Sequence, residues 1–164
     1  MTELVKSSRY ARGRSELTAN RLAGAGAALA CAALLGTAAW LSPSGAGHGT
    51  HTQLGMPPCG WVLAFDKPCP TCGMTTSFAH AAHGELWAAF VTQPCGALLA
   101  LASAMVFWMG LHSAVTGSRA LSSLGRLFLP RYVWIGVALL VAAWVYKLLV
   151  WVPGSLEGAG FVVP

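Results

Sequence analysis

Three continuous apolar segments dominate this chain of 164 residues. They run from Leu22 to Leu41, from Pro94 to about Val115, and from Tyr132 to Val152. An α-helix rises about 1.5 Å per residue, so about 20 residues cross a hydrocarbon core of roughly 30 Å. Each segment is therefore long enough to span a bilayer. The sequence predicts an all-α integral membrane protein with three transmembrane helices.

The composition excludes the other broad classes of protein. Only 9% of the residues are charged, 55% are hydrophobic, and the mean hydropathy is +0.61. A soluble domain carries about 25% charged residues, and disordered chains are poor in apolar residues. Neither description fits this chain. The net charge of +5 comes from basic stretches without interleaved aromatic residues, so the lipid bilayer rather than nucleic acid is the expected partner.

Basic residues are concentrated in two of the segments that border the predicted spans. They are Lys6, Arg9, Arg12, Arg14 and Arg21 before the first span, and Arg119, Arg126 and Arg131 between the second and third. Cytoplasmic segments carry an excess of Lys and Arg. The prediction is a cytoplasmic tail (1–21), a span (22–41), an outer segment (42–93), a span (94–115), a cytoplasmic loop (116–131), a span (132–152) and an outer tail (153–164).

Details of the spans add further expectations. Small residues such as Gly24 and Gly26 offer faces for close helix contact. Lys147 is expected to extend its ammonium to the nearby interface. The aromatic residues of this span are expected to act as interfacial anchors, namely Trp134, Trp144, Tyr146 and Trp151. A signal peptide cleaved near Ser44 competes with an uncleaved first helix. The first apolar run is too long for a typical signal core, which favours an uncleaved anchor.

The outer segment divides into two parts. Turn-forming residues without apolar periodicity predict a flexible linker over 42–58, and its His48 and His51 are more typical of a solvated stretch than of a metal site. Residues 75–90 predict one short amphipathic helix. At 100° per residue, one polar face of that helix collects Thr76, His80, His83 and Trp87, with Cys72 close to the same face.

The cysteines carry the chemistry of the outer segment. Cys59, Cys69, Cys72 and Cys95 lie in or beside it, where disulfides persist, whereas Cys31 lies inside the first span and is expected to pack as an apolar residue. The spacing of Cys69 and Cys72 is used both by redox dithiols and by metal knuckles. A thioredoxin-like fold is not indicated, because strands and helices do not alternate in the surrounding sequence. A zinc ribbon is not indicated either, because the chain has no second cysteine pair with this spacing.

The run from Pro68 to Thr76, followed by His83-Gly84-Glu85-Leu86 and Gln93-Pro94 before an apolar helix, resembles a family of small bacterial membrane proteins of unknown function. That family is marked by Cys-Pro-x-Cys-Gly-x-Thr, commonly followed by Arg, and Thr76 stands here where Arg is common. The resemblance covers about Cys59 to Val115, and Cys59 matches a cysteine that often precedes the motif. It implies a location in the bacterial inner membrane and no established activity.

Three functions follow, in order of preference. The first is a structural or interaction component, with disulfides among Cys59, Cys69, Cys72 and Cys95 and room for a membrane protein partner. The second is transition-metal binding by Cys69 and Cys72, completed by His80, His83 or Cys59. Thiolate and imidazole ligands suit zinc or copper. The third is thiol–disulfide exchange by Cys69 and Cys72. Whether the chain is an enzyme stays open.

Overall fold

The computed structural model describes residues 2–123 and 130–151 of the chain, and the side chains of 13–121 and 132–151. Within these ranges the regular structure is helical and no β-strand occurs, which confirms the all-α class. The α-helices are α1 (Thr2–Trp40), α2 (Gly60–Phe65), α3 (Met74–Ala82), α4 (Leu86–Thr92), α5 (Pro94–Thr116), α6 (Ala120–Ser123) and α7 (Pro130–Val150), and a 3₁₀ helix covers Thr50–Leu54.

Three of these helices are long and apolar enough to cross a membrane, as the sequence predicts. The candidate spans are Gly13–Trp40, Pro94–Thr116 and Tyr132–Val150. Pro94 begins α5, where its missing N–H costs nothing because the first helical N–H groups have no partner in the helix. The basic segment before the first span is also helical, because α1 begins at Thr2. Pro153-Gly154, the predicted stop of the third span, lies outside the described residues.

The described chain forms two compact units, and the first comprises Met1–Ala33 and Ser103–Leu129. Its helices α1 and α5 meet at two glycines. A Cβ added to Gly24 would lie 2.7 Å from the carbonyl oxygen of Gly110, and one added to Gly110 would lie 2.8 Å from the carbonyl oxygen of Gly24. The backbones therefore touch only because both side chains are absent. Gly26, also a candidate contact residue, has no atom of the described residues within 4 Å of its Cβ position.

The second unit comprises Leu34–Ala102 and Pro130–Pro164. Here the single amphipathic helix predicted over 75–90 is wrong, because α3 and α4 form a helical hairpin instead. Gly84, with φ +83°, turns the chain between the two helices, a conformation that costs glycine little. Ala79 and Ala89 are fully buried. The hydroxyl of Ser77 donates to the carbonyl of Ala89 at 2.8 Å and joins the two helices.

The segment 42–58 is folded rather than an unstructured linker. Thr50 at the start of the 3₁₀ helix is 1% exposed, and its hydroxyl lies 2.8 Å from that of Thr76 in α3. It also accepts the backbone N–H of Ser44 at 3.1 Å. Gln53 donates to the carbonyl of Ser42 at 2.7 Å and accepts the backbone N–H of the same residue. These side-chain contacts replace the apolar periodicity that the segment lacks.

Candidate metal centre

The cysteine motif is a turn between α2 and α3. The backbone N–H of Cys72 donates to the carbonyl of Cys69 at 3.0 Å, and this bond closes a tight turn over the two intervening residues. Gly73 follows with φ +85° and precedes the first residue of α3. A Cβ on Gly73 would also lie 2.6 Å from the carbonyl oxygen of Gly47, so both its conformation and its surroundings require glycine here.

Three cysteine sulfurs converge at this turn. The Sγ atoms of Cys59, Cys69 and Cys72 all lie within 4.8 Å of one another. Cys59 is the residue before the first turn of α2, so the start of that helix carries its sulfur to the motif. Cys72 is buried, while Cys59 and Cys69 are partly exposed. The group combines a shielded sulfur with two that solvent reaches.

The other cysteines do not join the cluster. Cys95 and Cys31 are half-buried and stand outside the group of three. All five cysteines are free thiols, and no two sulfurs lie at disulfide-bonding distance. The disulfides that the sequence suggests therefore stay a prediction.

The surroundings shift the pKa values of Cys69 and Cys72 in opposite directions. Burial raises the pKa of Cys72 to about 12, and charge on Cys69 or Cys59 adds to that rise. Burial also opposes ionisation of Cys69, but hydrogen bonds from Thr71, Cys59 and Cys72 outweigh it and lower its pKa. The Thr71 hydroxyl lies 3.4 Å from the Cys69 sulfur. Cys69 is therefore the readier nucleophile and metal ligand.

A buried lysine from α7 lies beneath the motif. Lys147 is 8% exposed, and its ammonium donates to the carbonyls of Gly47 at 3.1 Å and Thr92 at 3.0 Å. Its Nζ lies 3.1 Å from the Cβ position of Gly73, and its charge interacts with Cys72. Lys147 is thus buried and held by backbone carbonyls of its own compact unit, and its position relative to the membrane interface stays a prediction. A charged residue within an apolar span more often marks a functional site.

Aromatic side chains in and directly after the third span donate hydrogen bonds to backbone carbonyls of the segment 42–93. The indole N–H of Trp144 donates to the carbonyl of Pro68 and that of Trp151 to the carbonyl of Asp66, both at 3.0 Å. The hydroxyl of Tyr146 donates to the carbonyl of Val91 at 3.0 Å. Three of the residues expected to act as interfacial anchors therefore bind backbone of the segment 42–93. Trp134 is exposed.

A cavity of about 700 Å³ opens beside the three sulfurs, and further metal-binding residue types line it. They are His48, His51, Met56 and Met74. His48 Nδ1 donates to the carbonyl of Ala46 at 2.8 Å, and His51 Nε2 donates to that of Pro57 at 3.2 Å. Each donation leaves the second ring nitrogen with a lone pair, the arrangement of a metal-ligating histidine.

Burial lowers the pKa of His48. The hydrogen bond to the Ala46 carbonyl favours the charged form and raises the pKa, but this effect is smaller than that of burial. Electrostatic interactions with Lys147 and with His51 lower the pKa of His48 further. The imidazole is therefore neutral at pH 7, and a neutral imidazole is the form that binds metal. The sequence favoured a solvated stretch at His48 and His51 and thereby missed two candidate ligands.

The histidines that the sequence put forward as metal ligands have other partners. His80 Nδ1 lies 2.6 Å from a carboxylate oxygen of Glu85, in the turn between α3 and α4. His83 Nδ1 donates to the carbonyl of Ala79 at 2.8 Å. Neither belongs to the cysteine group or lines its cavity. His80 lies in α3 and His83 directly follows it, so the turn at Gly84 removes only Trp87 from the predicted common face.

The part of the chain that contains the cysteine motif also matches a known protein family. Residues 59–107 match the family described as "Protein of unknown function (DUF2752)". This stretch is similar to a family of unknown function. The match starts at Cys59 and extends into α5, so it covers the three clustered cysteines and the helical hairpin. No curated protein and no solved structure matches the chain.

Proposed function

We propose that this chain is an integral membrane protein that binds one zinc or copper ion through Cys59, Cys69 and Cys72. The observation that carries this function is the convergence of three sulfurs within 4.8 Å. With metal–sulfur bonds of about 2.3 Å, sulfurs around one ion lie about 3.7 to 4.0 Å apart. The cluster therefore needs only small side-chain movements to close on an ion.

The donor set favours a soft metal ion. Thiolates select zinc and copper(I), whereas calcium and magnesium take oxygen ligands. No carboxylate appears among the described residues that line the cavity. Met56, Met74, His48 and His51 line the same cavity, so one of their side chains would have to move towards the sulfurs to supply a fourth ligand. An imidazole would complete a zinc site, and a thioether suits copper(I).

The charge of such a site has a counter-ion in place. Three thiolates around a divalent ion leave one net negative charge, and around copper(I) they leave two. The ammonium of Lys147 interacts with Cys72 and is held by two backbone carbonyls. It therefore offsets part of the negative charge that metal binding would bury.

The proposed compartment is the outer side of a bacterial inner membrane. The basic residues around Arg14 and Arg119 keep their flanking segments in the cytoplasm by the positive-inside rule. The segment 42–93 then faces outward with all three ligands. A membrane-impermeant thiol reagent should label Cys69 in intact, reduced cells, and labelling only in opened membranes would reverse the orientation.

Metal analysis of the purified protein tests the proposal. The full chain, purified without chelator or reduced and supplied with zinc or copper(I), should carry one ion per chain by mass spectrometry under native conditions. Cys69→Ala should lose it, and the matched control Cys95→Ala should keep it. Protein that carries neither ion, and gains neither after reduction, would disprove metal binding.

A second pair of variants locates the fourth ligand. His48→Ala with His51→Ala should weaken metal affinity if an imidazole completes the shell. His80→Ala with His83→Ala should leave it unchanged, because those rings have partners elsewhere. Because the ligands must lose protons, affinity should also fall as the pH falls.

Thiol–disulfide exchange is a second candidate, favoured by the opposite pKa shifts of Cys69 and Cys72. The thiolate of Cys69 would attack a substrate disulfide and release one substrate thiolate. The sulfur of Cys72, losing its proton, would then attack Cys69 Sγ, form the Cys69–Cys72 disulfide and release the second substrate thiolate. The substrate is reduced and the protein oxidised.

Alkylation kinetics and a trapping variant separate the two candidates. Cys69 should react faster than Cys72 near pH 7, because its lowered pKa gives more thiolate there, and its rate should fall on acidification. Cys72→Ser should then accumulate a mixed disulfide through Cys69. A folded variant that traps no partner would count against exchange and leave metal binding standing. A structural or interaction role remains if both tests fail.

A further inference from the structure

A separate pocket in the first compact unit carries positive charge. It has a volume of about 980 Å³ and lies between the first turns of the α1 span and the residues that follow α5. Arg14, Arg21 and Arg119 line it, and Glu16 is the one carboxylate among its described lining residues. Glu16 forms an ion pair with Arg119. The lining therefore keeps a net positive charge that this ion pair does not cancel.

Arg14 and Arg21 supply the unpaired charge. Among the described side chains, neither guanidinium has a carboxylate partner. They are seven residues apart in one continuous helix, so they lie on the same face of α1 about two turns apart. Leu17 lies between them on that face, with its Cδ2 3.0 Å from the Cβ position of Gly117. The pocket thus combines two free cations with an apolar contact.

A buried hydroxyl in the same pocket has no partner within the described part of the chain. Ser118 Oγ is inaccessible to solvent and makes no hydrogen bond among the described residues. Its backbone N–H is occupied by the Thr116 hydroxyl at 3.2 Å, and the neighbouring carbonyl of Gly117 accepts the side-chain amide of Asn20 at 3.2 Å. Buried hydroxyls normally have partners. Ser118 shares the pocket lining with Arg14 and Arg21, so an anionic oxygen bound there could become the missing partner after a small movement of the hydroxyl.

The position of the pocket along the spans identifies the source of that oxygen. The α1 span covers 28 residues, longer than the roughly 20 that cross the hydrocarbon core. Its charged end, with Arg14 and Arg21, therefore lies at the level of the lipid headgroups. Thr116 ends the α5 span, immediately before the pocket residues Gly117 and Ser118. We propose that this pocket binds the phosphate of an anionic phospholipid, with Leu17 against the start of its acyl chain.

Lipid retention tests this site independently of the cysteines. The full chain is reconstituted in an equal mixture of phosphatidylglycerol and phosphatidylcholine, extracted gently, and weighed with its bound lipids under native conditions. The wild-type chain should retain phosphatidylglycerol selectively. Arg14→Gln with Arg21→Gln should weaken that retention by about thirtyfold, because each basic residue near an anionic surface contributes about fivefold.

The matched control is Arg9→Gln with Arg12→Gln, which removes the same charge from the same end of the chain. Equal losses in the two double variants, or no selectivity in the wild type, would disprove a specific site. Ser118→Ala, which keeps the net charge, should weaken retention severalfold, and unchanged retention would overturn the role of its hydroxyl. Excess inorganic phosphate should fail to displace the lipid, and displacement would assign the pocket to a free anion instead.

Discussion

The two compact units stabilise their helices by opposite means. In the first, α1 and α5 approach at Gly24 and Gly110, where two missing side chains let the backbones touch. In the second, Trp144, Tyr146 and Lys147 donate to backbone carbonyls of the segment 42–93. The first contact depends on the absence of atoms and the second on polar donors placed in an apolar helix. The spans therefore tolerate shape changes poorly, and the cysteine motif tolerates loss of hydrogen bonds poorly.

The largest expected effect comes from filling the glycine contact. Gly24→Leu should destabilise the fold by about 3 kcal/mol, because even a Cβ would lie 2.7 Å from the backbone of Gly110 and Ala114. Gly26→Leu is the matched control, since its Cβ position has nothing within 4 Å. Melting temperatures in detergent compare the two. Similar losses in both variants would show that the contact does not need glycine.

Removing the buried ammonium should have the next largest effect. Lys147→Met should cost about 2 kcal/mol, because it leaves the carbonyls of Gly47 and Thr92 without their charged donor. It should also lower metal affinity by removing the counter-ion, whereas Lys147→Arg should restore part of that affinity. Thermal unfolding and metal titration measure the two effects. Unchanged values in a folded Lys147→Met protein would contradict both roles.

The smallest expected effect is that of one indole donor. Trp144→Phe keeps most of the ring but loses the bond to the Pro68 carbonyl, which should cost about 1 kcal/mol. Trp134→Phe is the control, because Trp134 is 72% exposed. If the bond supports the motif, alkylation of Cys69 should also change in Trp144→Phe and stay constant in the control. Equal behaviour of the two variants would leave Trp144 as an ordinary interfacial residue.

Hydropathy alone was sufficient to predict the three spans and the all-α class, because a helix that crosses lipid needs a long apolar run. The same reasoning failed for 75–90, where the turn at Gly84 interrupts a periodicity that continues in the sequence. It included among the site candidates Cys59, Cys69 and Cys72, whose sulfurs the fold brings together. It favoured His80 and His83 over His48 and His51, because the fold of 42–58 depends on contacts such as Thr50 with Thr76, which no local pattern reveals.

Lys147 and the tryptophans show a second limit of sequence reasoning. A lysine near the end of an apolar run has the same sequence pattern whether it extends to the interface or points into a folded segment. The difference is set by whether backbone carbonyls are available inside the protein, as those of Gly47 and Thr92 are. Tryptophan N–H groups present the same ambiguity, because water at an interface and a buried carbonyl satisfy them equally well.

Because Cys59 lies at the start of α2, the proposed metal ion would cross-link two separate parts of the chain. An ion shared by Cys59 and Cys69 would close the short loop that contains α2, and cross-linking a loop removes conformational freedom from the unfolded chain. Trp61, Leu63 and Phe65 in that loop are exposed apolar residues. Loss of the ion would release this segment to proteases that cut beside aromatic residues. Cleavage near α2 would then report metal occupancy directly in membranes, without purification.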